Sequence, residues 1–495
     1  MTMERIDAAG RHVGDTRVEA SILVAVLGVA FGAYVTALGG AMFRLDDAYI
    51  VLNNAQALFA PDTAFPNTPA LYGSTSLVHT LLTAGVGWVL PPELGLMLLA
   101  WVAVALFGLS VLELGRMAGL AAPLRVAIAI CALTTGDFVR VHLNGLETGL
   151  AMAVVTWLIV LHRRRSPALP WLAALAPFIR PELLLLSGLI IGDVLWRARV
   201  WRDFSAALQI GAAFVVALVA LLVLQFWISG GLFPSTGDAK RYFFVTSDLG
   251  LERELRIGGM QLVAFLTQTQ ILPQSLFLLF LFRGRNRSYL LFAMALVAYF
   301  VYVQPLIMHQ TYYRYLYLLV PLFCLGMVDA IASERKLVRD LSFAVVLGAL
   351  VLNVFNAVQR VPTNVASVQD KYYALTDVAD WIERNTAPDE VVMIHDIGYL
   401  AYAVDRPFYD VVGLKSPASV VLNRDLTFRS GKEGRGAALA EMAHRSDARL
   451  FVVSKAWDRN FGLIRSLEAQ GWSAKAHPGR EMIEYMAFVL TPPAS

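Results

Sequence analysis

Apolar runs dominate this chain, and short polar breaks separate them. Runs of roughly twenty apolar residues, enough to cross a bilayer, occupy 20–42, 93–112, 205–228, 258–282, 288–305, 313–331 and 341–358. Shorter runs occupy 74–90, 123–137, 145–161, 168–180 and 182–197. Beyond about 360 the pattern changes. The stretch 372–387 has the spacing of an amphipathic helix, 391–394 and 450–453 read as buried strands, and 436–445 and 462–470 have helical spacing. The pattern therefore predicts an all-α polytopic membrane domain over 1–360. It is followed by a small α/β domain over 361–495, about the size one compact domain needs.

Composition supports that division. The chain has 495 residues, 57% hydrophobic and 16% charged, whereas soluble domains run near 25% charged. Six of the seven lysines lie beyond residue 330, and five of them beyond 360. Cys131 and Cys324 both fall in apolar runs, so neither a structural disulfide nor a thiolate metal site is expected. The first apolar run is too long for a signal-peptide core and lacks a small-residue cleavage site, so it is read as a retained helix.

The net charge of +3 says little, but its distribution orients the spans. If all the runs crossed, with the N-terminus inside, His162 and Arg163–Arg165 would lie outside. The run 74–90 carries His79, glycines, serines and threonines, and reads better as a helix lying in the outer interface. With that one change, every basic cluster falls inside: near Arg11, Arg116, Arg164, Arg199, Arg285 and Arg335. The expectation is about eleven spans, with an extracytoplasmic C-terminal domain. The pair 168–180 and 182–197 is short for two ordinary spans and has the lengths of a hairpin that does not cross fully.

This topology gathers ionisable residues on the outer face. Asp46 and Asp47 follow the first span, and Asn144 and Glu147 precede a later one. Lys240, the first lysine in the chain, stands beside Arg241, and His309 and Arg314 lie in a further outer segment. Each has a bland reading. The aspartates can end a helix and face water, although acidic groups at a helix C-terminus oppose the macrodipole. Glu147 can pair with a helix N-terminus, Lys240 and Arg241 can be solvated loop charge, and Arg314 can snorkel among tyrosines. The functional reading is a general base for a hydroxyl at the aspartates and cations for a phosphate at Lys240, Arg241, His309 and Arg314.

Ordered short motifs favour the functional reading. They are Leu45-Asp46-Asp47-Ala48-Tyr49, Tyr72-Gly73-Ser74-Thr75-Ser76, Asn144-Gly145-Leu146-Glu147-Thr148, Arg180-Pro181-Glu182 and Pro234-Ser235-Thr236 followed by Ala239-Lys240. In the tail stand Asp396-Ile397-Gly398-Tyr399, Asp405-Arg406-Pro407 and Asp410-Val411-Val412-Gly413-Leu414. In this set and order the chain resembles the GT-C glycosyltransferases, and most of all their mycobacterial terminal arabinofuranosyltransferase branch. Ser235 departs from the asparagine that relatives often carry.

The resemblance implies an inverting enzyme of the bacterial plasma membrane. It would move a sugar, arabinofuranose by this likeness, from a polyprenyl-phosphate donor to a hydroxyl of a cell-envelope glycan. Asp46 would be the base and Asp47 its support. Lys240, Arg241, His309 and Arg314 would meet the donor phosphate. Glu147, Tyr72, Asn144 and His142 would meet the acceptor or sugar. No cofactor is required by the sequence, and a divalent metal at Asp46, Asp47 and Glu147 stays open. No nucleotide-binding motif and no nucleic-acid partner are indicated. Transfer of mannose or another sugar to a protein or lipid, and transport of a lipid-linked glycan, are the alternatives. Paired repeats and midplane charges, which mark many transporters, are not evident.

Overall fold

The computed structural model describes residues 3–201, 204–232, 234–244, 250–302, 313–479 and 481–494. The chain divides into two compact units. One comprises 1–41, 97–221 and 257–366, and the other 42–96, 222–256 and 367–495. The expected boundary at 360/361 falls inside a continuous helix, Lys336–Asn385, and the amphipathic stretch read at 372–387 is the end of that helix. The segments 42–96 and 222–256, which include the loops expected on the outer face, group with the C-terminal region.

The first unit is helical, and this is a multi-pass membrane protein. Helices Arg17–Leu38, Pro92–Met117, Leu208–Ile228 and Lys336–Asn385 are long and apolar enough to cross a bilayer. At 50 residues the last would be about 75 Å long. Helices Ala122–Leu133, Thr148–Arg164, Leu183–Trp201 and Arg287–Tyr302 match further apolar runs.

Two expected spans are interrupted. The run 258–282 is broken into Leu251–Gln268 and Leu272–Phe282, with a bend of 112°. Gln270 adopts a left-handed φ of 56°, and Pro273 follows at the start of the next helix. A proline has no N–H to donate to the preceding turn, so the ladder cannot run through. The run 313–331 begins as a 3-10 segment, Leu316–Leu319, and turns α-helical only at Val320, with Pro321 in its first turn.

Buried polar groups fasten this unit. Arg125 pairs with Glu19. The Asn353 amide donates to the Cys131 carbonyl at 3.1 Å, and the Asn364 amide to Asp137 at 2.9 Å. The hydroxyl of Tyr317 accepts the Asp137 N–H at 3.0 Å, and it passes where a side chain at Gly136 would stand. Cys131 and Cys324 are free and buried.

The second unit is built on a five-stranded sheet in the order β2-β1-β3-β5-β4. Its strands are β1 (Val392–Ile394), β2 (Phe408–Asp410), β3 (Leu450–Ser454), β4 (Ser473–Ala476) and β5 (Tyr485–Thr491). β2, β1 and β3 run parallel, while β5 is antiparallel to both β3 and β4. β1 and β3 are buried along their whole length, as continuous apolar runs in a central parallel pair should be. Helices Arg435–Ser446 and Leu463–Glu468 pack on each other beside the sheet. The helices Asp46–Ala57 and Leu77–Gly87 belong to the same unit and pack together. Ser76 caps the second of these by accepting the His79 N–H at 3.1 Å.

Candidate active site

Asp46 and Asp47 open a helix rather than close one. The first helix ends at Leu38, a turn with left-handed Gly39 follows, and the aspartates form the first turn of Asp46–Ala57. There the helix dipole favours carboxylates, so the electrostatic objection to acidic groups at this point is removed. The apolar positions behind them explain the helix: Ala48, Tyr49, Ile50, Leu52 and Ala55 are buried. Tyr49 also fixes the approach of the chain, its hydroxyl accepting the Phe43 N–H at 3.1 Å.

Asp46 is held by the start of the short helix Gly398–Ala403, which follows β1. The Gly398 N–H donates to its Oδ2 at 2.6 Å, and the Tyr399 N–H to its Oδ1 at 2.8 Å. Only glycine fits at 398, because an added Cβ would lie 1.9 Å from the Asp46 carbonyl oxygen. Two residues earlier, Asp396 accepts from the Tyr485 hydroxyl at 2.5 Å, with Lys371 Nζ 3.8 Å away and His395 Nε2 at 3.5 Å. Lys371 also reaches Glu484 at 3.3 Å.

The two carboxylates are pushed apart in acidity. Burial, and then the charge of Asp396, lift Asp46 to about 7, against the pull of its two backbone donors. Burial acts to raise Asp396 too, yet His395, Lys371 and the Tyr485 hydroxyl hold it below the ordinary carboxylate range. His395 is itself depressed to about 4 by burial, so near neutral pH it is an uncharged neighbour.

Asp47 turns to a different element. Its Oδ2 lies 3.4 Å from Lys240 Nζ, on the helix Thr236–Phe244. Arg241, next along that helix, is exposed, with its guanidinium 5.6 Å from the ring centre of Phe428.

The other motifs of this unit pack against one another in the same way. The Thr75 and Thr236 hydroxyls are 3.1 Å apart, joining the loop after Tyr72 to the Lys240 helix. A side chain at Gly73, which has a φ of +80°, would strike the Leu414 carbonyl. Tyr72 itself is half-buried. Asp410 shapes the 410–416 loop, accepting the Val412 and Lys415 N–H groups, each at 2.8 Å. The Lys415 ammonium is then enclosed by Asp62 at 3.2 Å and Asn54 Oδ1 at 2.7 Å.

The remaining predicted residues lie in the membrane unit. Glu147 precedes the helix Thr148–Arg164 and is buried, 3.7 Å from the fully buried Arg180. Arg180 stands also 3.6 Å from Glu182 and stacks on the Tyr315 ring at 4.5 Å. Arg314 is buried, its guanidinium 5.3 Å from the centre of the same ring. Asn144 uses Oδ1 to accept the Leu146 N–H at 3.0 Å, which builds the turn before Glu147. His142 is buried between Phe107 and Tyr317. His309 lies outside the described residues. Among the described residues, no group of three or more His, Cys, Asp or Glu side chains is placed to hold a metal ion.

A crystal structure of ArnT from Cupriavidus metallidurans bound to undecaprenyl phosphate is similar over 94% of this chain and 97% of its own. The TM-score is 0.50 at 15% identity. The chain has the GT-C fold.

Within the GT-C fold, sequence likeness is narrower. The terminal β-(1→2)-arabinofuranosyltransferase of Mycobacterium tuberculosis is 30% identical over 223 residues, 39% of this chain and 34% of that protein. The match thus spans about a third of the relative's length. A cryo-EM structure of arabinofuranosyltransferase AftD from mycobacteria aligns with a TM-score of 0.45 at 14% identity, over 94% of this chain and 41% of AftD. Residues 363–486 match a family model described only as a domain of unknown function, DUF8728.

That region contains residues the sequence reading did not single out. Lys371, His395 and Tyr485 surround Asp396, and Lys415 is buried beside Asp62. Lysine is rare in this chain, and a lysine inside a helical apolar pattern, as at 371, was the available signal.

Proposed function

We propose that this protein is an inverting glycosyltransferase that takes its sugar from a polyprenyl-phosphate donor on the extracytoplasmic side. In this reading Asp46 removes the proton of the acceptor hydroxyl. The hydroxyl oxygen attacks the anomeric carbon, the bond to the phosphate oxygen breaks, and polyprenyl phosphate leaves. Lys240 meets the charge that develops on the leaving phosphate, and Asp47, bridged to Lys240, orients the cation and the acceptor. Arg241, Arg314 and His309 are further candidates for the phosphate, and Glu147, Tyr72, Asn144 and His142 for sugar hydroxyls.

The observation that carries the reading is the Asp46 carboxylate. It is fixed by two backbone donors, half-buried, and lifted to about 7. A general base works best with a pKa near the operating pH. A carboxylate has about four acceptor sites, so two remain for a substrate hydroxyl. The GT-C fold and the bound undecaprenyl phosphate of the ArnT structure support a lipid-linked donor. Arabinofuranose as the sugar, and a cell-envelope glycan as the acceptor, rest on the partial likeness to the arabinofuranosyltransferase.

The test is direct. Purified protein is given synthetic polyprenyl-phosphoryl arabinofuranose, or its mannose counterpart, with candidate glycan acceptors, and release of polyprenyl phosphate is measured. Acceptor-dependent release abolished by Asp46→Asn supports the reading. Release that persists in that variant refutes Asp46 as the base, and no release from any donor refutes the transferase itself.

A further inference from the structure

The membrane unit contains a cavity of about 1450 Å³ that shares no residue with the candidate active site. It lies where the helices Thr148–Arg164, Leu183–Trp201, Arg287–Tyr302 and Val320–Ile331 begin or end. Arg163, Arg165, Arg197, Arg283, Arg285 and Arg335 line it.

The acids nearby do not balance these cations. Asp329 is fully buried and accepts from Arg163 at 2.9 Å, Arg285 at 2.6 Å and the Asn286 amide at 2.9 Å, while Arg283 donates to its carbonyl at 3.0 Å. Asp193 takes Arg197 at 2.7 Å and His162 at 3.1 Å. Glu334 is the other acid in the lining. The Arg165 and Arg335 side chains have no ion-pair partner among the described residues, and both are exposed. Arg165 occupies the left-handed cap of its helix, at φ 53°.

Span-flanking arginines are commonly explained as orientation signals. That role needs only exposed charge. Here a buried carboxylate and a buried asparagine fix several guanidiniums around one space, which lowers the ordering cost of binding an anion. Guanidinium forks match phosphate oxygens. A second wall is apolar, formed by Met117, Leu169, Val194 and Ile210. Ile210 belongs to the span Leu208–Ile228, few of whose residues are buried within the protein.

We propose that this cavity binds an anionic phospholipid, with the phosphate among the arginines and the acyl chains along the Val194 and Ile210 wall. A soluble phosphate ester shares the headgroup chemistry but would leave that wall uncovered.

The probe is phosphatidylglycerol. The full chain is placed in nanodiscs of phosphatidylcholine with and without phosphatidylglycerol, extracted into neutral detergent, and read by native mass spectrometry. Selective retention of phosphatidylglycerol, falling by about tenfold in Arg165→Ala/Arg335→Ala, is expected. Both positions are exposed, so the variant should fold, and an unchanged melting temperature confirms it. Equal retention of the two lipids, or retention unaffected by the variant, overturns the proposal. A parallel titration with glycerol 3-phosphate decides the source: arginine-dependent binding of that ester with no lipid retained also overturns it. No arm depends on sugar transfer.

Discussion

Gly398 donates its backbone N–H to Asp46 at 2.6 Å, and a methyl group at 398 would stand 1.9 Å from the Asp46 carbonyl oxygen. The contact ties the start of the helix Gly398–Ala403 to the first turn of the Asp46–Ala57 helix. Its requirement for glycine is one of space, since the neighbouring atom is backbone and cannot swing away. Gly398→Ala is therefore expected to displace Asp46 by the order of an ångström. Misplacement on that scale costs about 100-fold in rate. Steady-state kcat, measured on protein whose spans still fold, checks this. Full activity in Gly398→Ala would show that the Asp46 carboxylate does not need this anchor.

Acidity gives a prediction with a sign. If Asp46 is the base it must be ionised to act, and it is lifted to about 7 by burial and by Asp396. The pH profile of kcat/KM should rise through about 7 and level above it. Asp396→Asn removes a negative charge, so Asp46 ionises more easily and the rising limb moves to lower pH, by about one pH unit. Lys371 faces both carboxylates as the opposing cation. Lys371→Met should move the limb to higher pH. A merely structural role for the two residues would lower the plateau without moving the limb.

Much of this was legible in the chain, for physical reasons that differ between elements. β1 and β3 were readable because a buried parallel strand is a continuous apolar run. β2, β4 and β5 were not: β2 carries Tyr409 half-buried and ends in Asp410, β4 is half to fully exposed, and β5 mixes buried and exposed positions. The aspartate pair could be located but its helix end could not. The apolar pattern runs on to Phe43, and only Gly39 and Gly40, both with positive φ, show that the first helix has already stopped. The break at Thr269–Ile271 was hidden by hydropathy averaging over the polar run Thr267–Gln270, shortly before Pro273. The Asp396 cluster was invisible because Lys371, Asp396 and Tyr485 are far apart in sequence.

Lys240 separates positive charge from geometry. Its ammonium lies 3.4 Å from Asp47 and is half-buried. If it stabilises the leaving phosphate, Lys240→Ala should cost about 100- to 1,000-fold in kcat, the usual range for one such donor. Lys240→Arg, which keeps the charge, should recover part of that loss. Asp47→Asn should act mainly through KM for the acceptor. Equal damage from Lys240→Arg and Lys240→Ala would mean that the fit around Asp47, rather than the charge, is what matters.

Lys415 carries a stability prediction independent of chemistry. Its ammonium is enclosed by Asp62 and Asn54, and both members of the ion pair are almost fully buried. Lys415→Met keeps the stem but strands the Asp62 carboxylate in a buried site. Breaking a buried pair in this way costs about 3–5 kcal/mol. At roughly 2–4 °C per kcal/mol, the unfolding temperature of the unit should fall by about 10 °C. Adding Asp62→Asn removes the stranded charge, so the double variant should be more stable than Lys415→Met alone. The four melting temperatures form a cycle whose coupling term reads the pair directly. Additive losses would place the cost of Lys415→Met in packing rather than in the orphaned charge.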